Sequence, residues 1–180
     1  MNKLIKITLV FLFFQGSLFG QNTFPSKWLG EYSGTMKISS LKGKPQQLKV
    51  NFEIKEIIKD SLWSHKMVFT APDESVVTKD YRIKRLSKDN AKDYVLDEQN
   101  GLEIELSYLD DCFYSMYTVM GTTYVSTLRR INSDLLWDLF GVPKASKKTT
   151  TLQEDHPQPE LIVDSYKTSL HQTALLKLKN

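Results

Sequence analysis

The 180 residues carry 24 Lys and Arg against 21 Asp and Glu, and this near balance excludes the strongly basic surface that nucleic-acid binding needs. The single cysteine, Cys112, excludes an internal disulfide. At this length one domain can bury a full core without staples.

The chain opens with Lys3 and Lys6, an apolar run over 7–14, and the small residues Ser17 and Gly20 before Gln21. This is the pattern of a secretory signal peptide, with residues 1–20 removed between Gly20 and Gln21. An uncleaved anchor is the alternative, but the apolar run falls short of the roughly 20 residues of a membrane span. No cysteine adjoins the cleavage site, so a soluble secreted or periplasmic protein is expected, with no stable membrane insertion. Losing Lys3 and Lys6 leaves 22 basic against 21 acidic residues, about +1. No nucleic-acid partner is expected at that charge, and a monomer is the expected state.

Residues 21–180 read as one all-β domain. Apolar and polar residues alternate over 28–40, 46–58, 61–70, 77–86, 92–98, 101–109, 111–119 and 122–131, and a period of two puts the apolar side chains of each segment on one face of a strand. The segments are separated by Gly43–Lys44–Pro45, Lys59–Asp60–Ser61, Ala71–Pro72–Asp73, Asn100–Gly101, Asp110–Asp111 and Met120–Gly121. Connections this short permit only antiparallel neighbours, and Asn–Gly suits a type I′ hairpin. An antiparallel up-and-down barrel of 8–10 strands follows. Residues 135–140 fit a ninth strand or a short helix, and the turn chemistry of Asn132–Ser133–Asp134 favours the strand. Polar composition over 141–159 predicts a long mobile loop. Strand pattern resumes at 161–166, and a last apolar segment covers 174–178.

The opening Trp28-Leu29-Gly30-Glu31-Tyr32-Ser33-Gly34 resembles the first strand of the calycins, the superfamily of lipocalins and fatty-acid-binding-protein-like barrels, with Ser26 where the lipocalin pattern has Gly. The chain as a whole also resembles a group of exported bacterial proteins. The calycin resemblance implies that Trp28 closes one end of the barrel under an arginine from a late strand. Arg129 and Arg130 occupy that place, and alternation makes Arg130 the inward one. The same opening resembles the nitrobindins, haem-binding barrels with an axial histidine near the C-terminus, which implies His171 as a haem ligand. Apart from that resemblance no cofactor or metal is expected. His65, His156 and His171 are far apart, and none has a metal-ligand partner at i+2 or i+4.

Enzyme chemistry finds little purchase. Cys112 follows two aspartates, which disfavour a thiolate. Glu103 and Glu105 share one strand face, opposite Leu102, Ile104 and Leu106, as expected of an outer surface. The aromatic residues carry more. Phe113, Ser115, Tyr117 and Val119 share a face, with Tyr124 on the next strand, and Trp63 and His65 share another. These five side chains, Trp63, His65, Phe113, Tyr117 and Tyr124, are the candidate lining of an internal site for a small apolar or amphipathic ligand. The alternative is a filled barrel that serves as an interaction module.

Overall fold

The computed structural model describes residues 24–179 apart from 88, 91, 154–156 and 159, so the expected signal peptide over 1–20 and His156 lie outside the described residues. Ten strands close into one antiparallel ring: β1 (Gly30–Ser40), β2 (Gln46–Ile54), β4 (Leu62–Thr70), β5 (Val76–Arg85), β6 (Asp93–Asp97), β7 (Glu103–Leu109), β8 (Cys112–Val119), β9 (Thr122–Ile131), β10 (Asp134–Pro143) and β13 (Leu170–Leu178). The short β3 (Glu56–Ile58) continues β2 beyond an irregularity at Lys55. There the Lys55 N–H donates to Ser64 Oγ at 2.7 Å, and the Ser64 N–H donates to the Lys55 carbonyl at 2.8 Å. This exchange keeps the polar groups of the buried Ser64 satisfied where the strand bends. Closure comes from β2 pairing with both β1 and β4, and it leaves the ring with no free edge strand.

Segment 134–143 is a strand, as its turn chemistry predicts, because Leu135, Trp137 and Leu139 have the spacing of one inner face. Segment 141–159 departs from the expected mobile loop. β10 runs through Pro143, Lys144–Ser146 form a 3-10 turn, and β11 (Lys148–Thr151) pairs with β12 (Ile162–Ser165) as a separate hairpin. Its threonines favour extended backbone, and Lys147 bridges Asp164 at 2.6 Å. Composition alone does not reveal a strand whose partner lies more than ten residues away. The Asn100–Gly101 turn also differs from expectation. Positive φ falls at Gln99 and Gly101, and the Glu98 N–H donates to the Leu102 carbonyl at 3.0 Å, so three residues rather than two lie inside the closing bond.

One end of the ring is sealed by Phe24, Trp28, Trp63, Tyr94, Tyr108 and Phe113, each at most 5% exposed. Phe24 sits at the centre, 4.7 Å from Trp63, 5.0 Å from Phe113 and 5.6 Å from Tyr94 between ring centroids, all edge-to-face. The Tyr108 hydroxyl accepts from the Phe24 N–H at 3.1 Å and donates to Asp111 at 2.7 Å, which ties the segment before β1 to the β7–β8 turn. Burial, and then the Asp111 carboxylate, hold this phenol well above its usual pKa.

Gly34 is set by close approach. A Cβ there would lie 2.2 Å from the Leu175 carbonyl oxygen on β13. Gly34→Ala must therefore push β1 and β13 apart, and we expect a loss of about 1–3 kcal/mol, read as a lower urea midpoint. An unchanged midpoint would mean that the two strands have slack at this crossing.

Candidate functional site

Beyond the aromatic plug the barrel is hollow. Its interior contains a cavity of about 630 Å³, within the range of small-molecule sites. The filled-barrel alternative is thereby corrected: side chains of ten strands do not reach the axis toward the open end. The floor includes Phe113, Leu106, Leu128 and Ile83, and apolar wall comes from Met36, Ile38, Leu48, Met67, Phe69 and Trp137.

Polar groups gather on one side. The Glu98 carboxylate lies beside Tyr81, and burial together with that carboxylate pushes Tyr81 up to about 12. Tyr117 is raised by burial, Glu98 and Tyr124, and its ring stacks on Tyr124 at 5.5 Å. On the apolar wall, Trp137 Nε1 donates to Ser126 Oγ at 3.0 Å. Lys79 also lines the polar side, its ammonium 5.6 Å from the Tyr81 ring centre.

The wall is incomplete here. The β7–β8 ladder holds only Ser107↔Tyr114, Tyr108↔Phe113 and Leu109↔Cys112. Farther toward the open end the two strands are unpaired, and Leu102, Ile104 and Leu106 on one side and Ser115, Tyr117 and Val119 on the other line the cavity. The β5–β6 ladder likewise ends at Arg82↔Asp97. The cavity thus reaches the surface along this side as well as at the rim, where Val77, Leu102 and Val119 are at least half exposed.

Of the predicted lining, His65, Phe113, Tyr117 and Tyr124 border the cavity. Trp63 does not. It belongs to the plug beneath, because β4 slopes across the barrel and brings Trp63 opposite Ile83, two positions deeper than the His65↔Tyr81 pair. Arg130 does not cover Trp28. Its guanidinium donates to the Asn132 carbonyl and lies close enough to Tyr32 to lower that phenol, against the larger effect of burial. Among the described residues the guanidinium over a tryptophan belongs to Arg85, 5.6 Å from Trp63 and 5.7 Å from Tyr94. The inward alternation of Val77, Lys79, Tyr81, Ile83 and Arg85 carried that signal in the sequence.

His171 is on the outer face. Its neighbours on β13, Leu170 and Gln172, line the cavity, while His171 stacks on Phe140 at 4.6 Å and meets Asp138 at 3.2 Å. The implied role as an axial ligand inside the barrel is therefore corrected by strand alternation. Among the described residues no three His, Cys, Asp or Glu side chains converge as a metal site. Cys112 is a fully buried thiol, raised chiefly by burial. Glu103 faces Lys84 at 3.0 Å on the outer surface.

Among the described residues His65 is the histidine inside the barrel, between Phe52 at 4.8 Å and Tyr81 at 6.4 Å, with its Nδ1 buried and unpartnered. Burial lowers its pKa to about 4, and Lys79 adds to the effect. The unfolded chain binds this proton near pH 6.5 and the folded chain only near pH 4. Stability should therefore be fully present above 6.5 and fall as pH drops toward 4, by up to about 3 kcal/mol from this residue. His65→Phe should remove that part of the loss. Urea midpoints measured at pH 7 and 4.5 for both proteins would show it, and parallel losses would contradict the neutral buried imidazole.

No protein-family model matches the chain, and no curated protein matches it. Solved structures do. The S-type phycobiliprotein lyase CPES from Guillardia theta aligns over 86% of this chain and 89% of its own, with 10% identity and a TM-score of 0.55. Lobster apocrustacyanin A1 aligns over 87% and 64%, with 11% identity and a TM-score of 0.37. Rv2717c from M. tuberculosis aligns over 86% and 94%, with 8% identity and a TM-score of 0.42. At such identities the likeness is one of fold. The likeness to the lyase, together with the closed antiparallel ring of ten strands, makes the fold that of a calycin-like barrel.

Proposed function

We propose that the protein is an exported, monomeric carrier that holds a small apolar or amphipathic molecule inside its barrel. The observation behind this reading is the cavity of about 630 Å³, apolar on most of its surface and polar along Tyr81, Glu98, Tyr117 and Tyr124. Such a division suits a ligand with an apolar body and a few hydrogen-bonding groups. Binding is a better reading than catalysis: the buried thiol is held protonated, the paired glutamates face outward, and His65 sits between two aromatic rings. Trp137 borders the cavity while Trp28 and Trp63 lie in the plug. An apolar fluorescent probe should thus quench Trp137 saturably, and Trp137→Phe should abolish the quenching while binding persists. Quenching that survives in Trp137→Phe would place the probe elsewhere.

Export rests on the apolar run over 7–14 behind Lys3 and Lys6, followed by the small residues Ser17 and Gly20. N-terminal sequencing of the protein from its own host should begin close to Gln21. A sequence beginning at Met1 on membrane-bound material would contradict it.

A further inference from the structure

The open end of the barrel has two unlike halves. The β4–β5 and β6–β7 connections carry Asp73, Glu74 and Glu98. The other half joins three connections through the backbone: the Lys144 N–H donates to Gly121 at 2.8 Å, Leu41 to Ser169 at 3.1 Å and Ser169 to Gly141 at 2.8 Å. Lys167 joins them through Ser146 Oγ at 3.1 Å. This half presents Lys42, Lys44, Lys144 and Lys167, all exposed, and none has an ion pair among the described residues. The acid closest in sequence to this group, Asp164, is taken by Lys147.

Two large apolar side chains stand among these lysines, Leu41 at 59% and Met120 at 100% exposure. Met120 is the tip of the β8–β9 hairpin and has φ of 47°. That backbone region favours Gly, Asn or Asp, and the hairpins at the closed end fill it with Asp110, Asp111 and Asn132. A fully exposed methionine there gains nothing from the turn and nothing from burial. Its side chain suits a surrounding less polar than water.

We propose that this half of the rim docks on an anionic lipid bilayer, with Met120 and Leu41 entering the interface and the four lysines meeting the headgroups. Lysines near an anionic surface contribute about 1 kcal/mol each. The chain without residues 1–20 has a net charge of only about +1, so the attraction comes from the local cluster. Contact is peripheral and independent of whether the cavity is loaded.

Sedimentation with vesicles of phosphatidylcholine, with and without phosphatidylglycerol, tests this on the full mature chain. The protein should bind the anionic vesicles and not the neutral ones, and raised salt should weaken binding. Lys42→Glu with Lys44→Glu should weaken it on the order of tenfold or more. Met120→Asn, which suits the turn and preserves the fold, should weaken it several-fold. A control pair at the closed end, Lys59→Glu with Lys92→Glu, should change it less than about twofold. Absence of binding to anionic vesicles, equal binding to neutral ones, or equal loss in the control pair would overturn the proposal.

Discussion

Trp28→Ala is expected to destabilise the protein by about 3–5 kcal/mol, the largest single effect outside a broken strand. The side chain is fully buried, 5.3 Å from Phe113, 5.9 Å from Phe24 and 6.0 Å from Tyr108 between ring centroids. Its backbone matters too, since the Trp28 carbonyl accepts from the Tyr32 hydroxyl at 2.8 Å and its N–H donates to Pro25 at 2.7 Å. Truncation leaves a hole that rings on three different segments cannot all move to fill. For a domain of this size the loss corresponds to a melting temperature lower by on the order of 10 °C. The partner in a double-mutant cycle also changes from the one that calycin resemblance implies. Trp28→Ala and Phe113→Leu should be clearly non-additive, whereas Trp28→Ala and Arg130→Ala should add, because Arg130 turns to Asn132. Wild-type stability in Trp28→Ala would contradict the plug.

The architecture was readable because strand alternation and turn residues agree along most of the chain. Leu48, Val50, Phe52 and Ile54 face inward as their spacing demands, and Asp110–Asp111 and Met120–Gly121 sit at tight turns with positive φ. The depth of each residue was not readable. Trp63 and His65 share a face, yet one lies in the plug and the other in the cavity, since the tilt of the strands decides the level. Nor was Arg85 anticipated, since the expected arginine was chosen by its place in a resembling family rather than by its inward spacing. His171 failed for the converse reason: its position near the C-terminus matched, but the apolar pattern of Ala174 and Leu176 already put odd-numbered residues outside.

Tyr117→Asp is expected to abolish measurable probe binding while leaving the fold intact, the largest effect foreseen on function. Tyr117 lines the cavity where β7 and β8 part and is not part of the plug. A carboxylate there adds charge beside Glu98 to a site that must desolvate an apolar ligand. Against wild-type binding in the micromolar range, about −8 kcal/mol, the loss should exceed a hundredfold, roughly 3 kcal/mol. Met116→Asp, one position away on the outer face and 73% exposed, should change binding little. Equal effects of the two substitutions would place the probe outside the barrel.

Native mass spectrometry of the protein purified from its own host compartment shows whether the barrel is loaded. A bound species of a few hundred daltons is expected, in one-to-one ratio, that fits a cavity of about 630 Å³ and is absent from Tyr117→Asp prepared the same way. Wild-type protein that carries no such mass, and that takes up none when mixed with lipid extract of the same compartment, would contradict a carrier that holds its ligand inside the barrel.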